Sequence, residues 1–343
     1  MPPIAKKNEQ RRFLLLSLLS LFLVARILQL FAGRVPNLLI VTLHVMPPAL
    51  FALEHGARIY RSRGILIFAT LSLAVGTLFE GMSLRTGFPF GYYRFTDLMG
   101  PKLFDLPILL ALAYVGMGYL SWVLAVVILD CQNEPLSGGK IVLLPLAASF
   151  VMTAWDFSMD AVWADIDHAW VWRDGGSYYG VPASNFFGWF LTGYIFYQLF
   201  ALYLRNRVTI RSPTSHWRLA ILFYAACAAG NLLVVAPLSL GSVFVDAAGK
   251  HWAIPGILWA SRLVSILVMM PLSLIAWVKA SGPVEPLSKH VSLGIRSDCA
   301  SGRITMAYAG EYEARGHPRS WSIRQIDSRD AIGRDHPPPG DRA

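Results

Sequence analysis

Charge is scarce in this chain. Of its 343 residues only 15% are Asp, Glu, Lys or Arg, against about 25% in an ordinary soluble domain. Cysteine is scarcer still. Cys131, Cys227 and Cys299 stand far apart with no CxxC pair, which argues against a disulfide framework or a thiolate metal site. The eight histidines, at 44, 55, 168, 216, 251, 290, 317 and 336, include no HH, HxxH or HxxxH spacing. The clusters by which membrane oxygenases hold iron are therefore missing. Neither GxGxxG nor GxxxxGK[ST] occurs, so nucleotide-driven chemistry has no visible seat. No Lys falls inside an apolar run, which excludes a retinal Schiff base. No metal and no cofactor is expected.

Apolar sequence is what the chain has in abundance. It is 55% hydrophobic, in runs of roughly twenty residues, the length that crosses about 30 Å of hydrocarbon. The expected fold is all-α: a polytopic membrane bundle of about eight helices. The spans fall near 13–32, 36–54, 64–84, 104–130, 140–160, 184–204, 217–238 and 254–278. Pro47 and Pro48 interrupt the second; dropping it leaves seven spans as the alternative. The first run is too long for a signal-peptide core. The formal charge of +9 points to no nucleic acid, because the basic residues gather in particular loops. Lys6, Lys7, Arg11, Arg12, Arg58, Arg61, Arg63, Arg205, Arg207, Arg211 and Arg218 all fall on one side of an eight-span chain. The positive-inside rule makes that side, and both termini, cytoplasmic in a multi-pass protein of the cell membrane. Residues 1–12 form a basic arm, 13–280 the transmembrane bundle, and 281–343 a polar segment expected to be a disordered cytoplasmic tail. Its basic residues suit anionic membrane lipid.

Within the bundle the polar residues are few and gather at one depth. Glu80 lies near the outer end of the third span. Asp156 and Asp160 lie near that of the fifth, and their i,i+4 spacing puts both on one helix face. Asn185 opens the sixth span, and Asn231 lies in the outer half of the seventh. Arg262 is two turns into the eighth, and Arg26 in the outer half of the first. The two arginines are either counter-ions for the acids or direct ligand contacts. Glu54 and Arg58, at the inner end, read as a plain i,i+4 ion pair. Two outer loops are dense in Gly, Pro and aromatics. Residues 76–107 carry GFPFGYY, with Phe90, Tyr92 and Tyr93; residues 163–189 carry Trp163, Trp170 and Trp172 and then YYGVP, with Tyr178 and Tyr179. An interfacial aromatic belt needs no such turn residues. The loops are expected to roof a site on the non-cytoplasmic side. Carboxylates and rings without a redox centre favour acid–base chemistry.

The segments GTLFEGMSLRTGFPFGYYRFTDLMGPKLFDLP, WDFSMDAVW and YYGVPASNFFGW, in this order, resemble the signatures of the CruF-type carotenoid biosynthesis proteins. These are carotenoid 1′,2′-hydratases, a family that includes the γ-carotene and bisanhydrobacterioruberin hydratases. The resemblance covers roughly residues 60–280. It implies a carotenoid substrate and addition of water to the terminal 1′,2′ double bond of an acyclic end, giving a tertiary alcohol. Association with other carotenoid-pathway enzymes is a further expectation. The chemistry needs one carboxylic acid, one water-orienting base and a pocket tolerant of a cation. Asp156 or Asp160 would give the proton and its partner would hold the water, with Glu80 as the alternative acid. Phe90, Tyr92, Tyr93, Trp155, Tyr178, Tyr179, Asn185, Asn231 and Arg262 would line the substrate pocket. Two readings compete: a carotenoid carrier without chemistry, and a proton-coupled transporter with Asp156, Asp160 and Arg262 as a relay.

Overall fold

The computed structural model describes residues 3–31, 33–132, 135–205, 207, 209–236 and 241–281, together with four short strands between 292 and 320. The chain divides into two compact units, Met1–Gly282 and Pro283–Ala343. The first is a helical bundle. Its helices are α1 (Pro3–Leu28), α2 (Asn37–Thr86), α3 (Ile108–Ile128), α4 (Lys140–Ala161), α5 (Ala183–Leu204), α6 (Thr214–Asn231), α7 (Ile254–Val264) and α8 (Met270–Ala280). Among the described residues six helical stretches are long and apolar enough to cross a membrane. In one of them α7 and α8 run on through a π-helical turn, as Ile254–Ala280. The 18-residue α6, which carries His216, Arg218 and Asn231, is not among the six.

At 50 residues α2 would be about 75 Å long if straight, more than twice a bilayer core. It is not straight. Arg61 leaves helical geometry at φ 60°, ψ 167°, and the chain folds back there. An ideal Cβ placed on Gly56 would fall 2.4 Å from the Cδ1 of Ile65, an approach that nine residues of straight helix forbid. The two arms are the second and third expected spans. Pro47 and Pro48 lie buried inside the first arm and do not end it. The fourth span starts later than expected, at Ile108, because Lys102–Leu103 and Leu106–Pro107 pair as a short hairpin. The seventh stops at Asn231.

The middle helix is α3. Of its apolar window 83% is buried, against 22–50% for the other five stretches. It is rich in small residues where neighbours press close. At Gly116 a Cβ would meet the backbone of Pro48 and Ala49 at 2.9 Å. Replacing Gly by Ala inside a helix usually stabilises by about 0.5–1 kcal/mol. Here the sign should reverse. Gly116→Ala should lower stability by about 1–3 kcal/mol through overpacking against main chain that cannot swing aside, read as a lower melting temperature in detergent.

Polar contacts show which helix ends lie together. Arg11 pairs with Glu54 at 2.6 Å, so the expected Glu54–Arg58 pair is replaced by one between α1 and α2. Lys279 pairs with Asp130, and Arg218 donates to Ser281. The His55 and His216 rings stack 3.7 Å apart, each bonded to the other's carbonyl. These contacts gather the start of α1, the bend of α2, the end of α3, the start of α6 and the end of α8 at one end of the bundle. Loops 87–107, 162–182 and 241–253 share the other end, where Gly175 and Gly180 lie against Asp246 and Tyr179 against Trp252.

The second unit contains two antiparallel pairs, Ser292–Asp298 with Arg303–Ala309 and Glu311–Ala314 with His317–Ser320. Most of the remaining segment expected as a disordered tail, including 321–343, lies outside the described residues.

Candidate active site

The two aromatic loops meet as a ribbon. Tyr93–Phe95 pairs antiparallel with Trp170–Trp172, with Tyr93 opposite Trp172 and Phe95 opposite Trp170. The two-residue period of a strand turns Tyr93, Phe95, Trp170 and Trp172 inward and leaves Arg94 exposed. Beneath this aromatic face lie the polar groups. Glu80 comes from the last turns of α2, Asp156 and Asp160 from the last turns of α4, and Asn185 from the first turn of α5. Pro182 caps that helix, and its carbonyl accepts from the Asn185 backbone N–H at 3.0 Å. All four side chains are buried, none more than 3% exposed.

Their hydrogen bonds differ in an informative way. The Asn185 Nδ2 donates to both aspartates, to Asp156 Oδ2 at 3.1 Å and to Asp160 Oδ2 at 2.5 Å. Asp160 also accepts from the Trp170 Nε1 at 3.2 Å. Glu80 accepts from the Tyr114 hydroxyl at 2.6 Å and from the Tyr93 hydroxyl. Asp156 Oδ1 is buried and has no partner among the described residues. None of the three carboxyls is within ion-pair distance of a cation among the described residues. Uncompensated buried charge is costly, which favours keeping at least one of the three carboxyls protonated.

A cavity of about 20 Å³ lies among the acids, closed by Phe90, Leu110, Trp172 and Trp189. That is room for about one water. Leu110 and Trp170 are also walls of a second, apolar cavity of about 60 Å³, which includes Trp155, Met117 and Met159. A third cavity, of about 330 Å³, shares Arg26, His44, Met159, Trp163 and Asn231 with the second. It reaches Gly33 and Asn37, in and just after the loop between α1 and α2. The three form a series from the loop end of the bundle to the acids.

Of the residues singled out in the sequence, Glu80, Asp156, Asp160, Asn185, Phe90 and Tyr93 meet around the acid cavity. Trp155 and Asn231 line its neighbour. The remaining four lie elsewhere. Tyr92 is covered by the Arg173 guanidinium at 3.6 Å. Tyr178 packs on Phe157 and Tyr179 on Trp252. Arg262 donates to the Val234 carbonyl at 2.9 Å and lies over Trp259. Arg26 is bonded to His44 and Asn231 rather than to any of the three acids, so the contacts of neither arginine are those of a counter-ion to them. Sequence reasoning missed Tyr114 and Leu110, and took Trp170, Trp172 and Trp189 only as part of the aromatic outer loop. A tyrosine within an apolar helix is itself a signal, since a buried hydroxyl needs a partner.

These features define a class: a polytopic membrane bundle with a carboxyl-rich, ring-lined cavity near one end. Residues 37–248, more than half of the chain, match the family of carotenoid biosynthesis proteins, and the chain belongs to it. The match begins earlier than the sequence signatures suggest, taking in both arms of α2, and it ends before α7. No curated protein and no solved structure matches the chain. Its role is in carotenoid biosynthesis.

Proposed function

We propose that the chain hydrates the terminal 1′,2′ double bond of an acyclic carotenoid end group. The observation that carries this reading is the undonated Oδ1 of Asp156 at a cavity with room for about one water, beside a second carboxyl that is well supplied with donors. Hydrogen bonds from Trp170 and Asn185 suit Asp160 to the carboxylate form, while Asp156 keeps a free oxygen to carry a proton.

The steps balance without any other reagent. Asp156 gives its proton to C2′, and the π electrons form the new C–H bond. The cation is left on the tertiary C1′, facing the rings of the aromatic ribbon, each worth about 0.5–2 kcal/mol to it. Water held by Asp160 attacks C1′ and gives its spare proton to that carboxylate. Transfer of this proton back to Asp156 restores the site. Glu80, fixed by Tyr93 and Tyr114, adds negative potential without taking part in proton transfer. The apolar cavity behind Leu110 and Trp170 receives the methyl-bearing end of the chain.

By the positive-inside rule, the end bearing Arg11, Arg12, Arg58 and Arg218 faces the cytoplasm, and the acid cavity lies towards the opposite face of the cell membrane. The test is pigment analysis of cells that make lycopene or γ-carotene and express the chain. A product heavier by one water, with a tertiary hydroxyl, is expected. Unchanged pigment in cells that contain the folded protein would refute hydration and favour a carrier.

A further inference from the structure

A second cleft lies at the basic end of the bundle, remote in the chain from the acids. Its volume is about 520 Å³, and it is formed by α1, the α2 bend, the start of α6 and α8. Its polar side presents Arg11, Arg12, Arg58 and Arg218 against two carboxylates, Glu9 and Glu54. Glu54 is taken by Arg11. Among the described residues no carboxylate comes within ion-pair distance of Arg12, Arg58 or Arg218. The Arg218 guanidinium lies 4.5 Å from the Trp277 ring and donates to Ser281, and its Nε is buried without a hydrogen-bond partner among the described residues.

The other side of the cleft is apolar. Leu15, Leu16, Leu219 and Leu222 continue from the cationic rim along α1 and α6. Leu16 and Leu222 are about two-fifths exposed, where a membrane-spanning bundle meets acyl chains. A free anion would use the rim and leave the leucines idle. An uncharged lipid would use the leucines and leave three guanidiniums without an anionic partner. Charge complementarity and the two-sided lining select one occupant.

We infer that this cleft is a binding site for a phospholipid with an anionic headgroup, its phosphate on Arg12, Arg58 and Arg218 and one acyl chain along the leucines. The site is independent of the hydration chemistry. It ties α1 to α6 and α8, which the lipid would brace as a ligand that binds only the folded state.

Native mass spectrometry of the full chain in detergent tests it, with phosphatidylglycerol, phosphatidylcholine and inorganic phosphate as separate additions. One phosphatidylglycerol should be retained and should raise the melting temperature; phosphatidylcholine and phosphate should do neither. Arg58→Gln and the exposed Arg12→Gln should each weaken retention about fivefold, at the usual worth of one basic residue near a lipid surface. Arg94→Gln, at the exposed position of the strand at the other end, should change nothing. Equal retention of phosphatidylcholine would overturn the inference. So would an equal shift from phosphate alone, or unchanged retention in a folded Arg12→Gln protein.

Discussion

Asp156→Asn should lower the rate of water addition by about 10²–10⁴-fold, the usual contribution of a positioned general acid. Asparagine matches aspartate in shape, and the lost oxygen is the one without a partner, so the fold should survive. What disappears is the proton. Asp160→Asn should cost a similar factor for a different reason. Asp160 accepts from Trp170 and from Asn185, and an amide there offers a donor where a second acceptor is needed. That variant should also melt lower, since mispaired buried polar groups cost about 1–3 kcal/mol. The double variant should be hardly worse than either single one, because the two carboxyls act as one unit. Glu80→Gln should be the mildest of the set. Its neighbours Tyr93 and Tyr114 can turn to the amide oxygen, and what is lost is charge rather than the acid. The measurement is turnover of lycopene or γ-carotene by purified protein, with melting temperature recorded alongside. An Asp156→Asn protein within about tenfold of wild-type turnover would remove Asp156 from the proton donor's role.

The acids were legible in the sequence because membrane topology reduces their placement to depth. Glu80, Asp156 and Asp160 fall at similar depths in alternating spans, and i,i+4 spacing puts the aspartates on one face. Neither inference needs side-chain packing. The roof was legible only as composition. GFPFGYY and YYGVP announce turns and rings, but the strands themselves are three residues long and about 75 apart in the chain, too short and too distant for pairing to be read. The contacts of Arg11 with Glu54, of Arg26 with Asn231 and of His55 with His216 were hidden for the same reason. Each joins helices whose rotation about their own axes is fixed by packing alone. Spacing rules see i,i+4 neighbours, so they offered Arg58 to Glu54, while the partner Glu54 takes, Arg11, comes from α1. The fold-back at Arg61 left a basic cluster and two apolar runs as its trace, which the span count used without showing where the chain turns.

Gly176→Ala should reduce turnover by about 10²-fold or more while leaving the bundle folded. A Cβ at this position would lie 2.0 Å from the Val181 carbonyl carbon, 2.1 Å from its oxygen and 2.2 Å from the Pro182 nitrogen. All three are main-chain atoms, so no side chain can rotate away to make room. The segment they belong to is tightly closed. Tyr178 and Val181 exchange both backbone hydrogen bonds, at 3.1 and 2.9 Å. Tyr179 and Gly180 between them have positive φ, 49° and 87°, the geometry of a two-residue hairpin turn. The added methyl must push Val181 and Pro182 outward, and Pro182 is where α5 begins. Asn185 follows within one turn, and its amide is the only described group bonded to both aspartates. A shift of about 1 Å in a positioning group can cost about 10²-fold. Gly139→Ala supplies the contrast. Gly139 has φ −62° at the start of α4 with nothing within 4 Å of the new methyl, and it should keep full turnover. If Gly176→Ala matched Gly139→Ala in rate, the 176–182 loop would not set the position of Asn185, and the aspartates would owe their geometry to α4 alone.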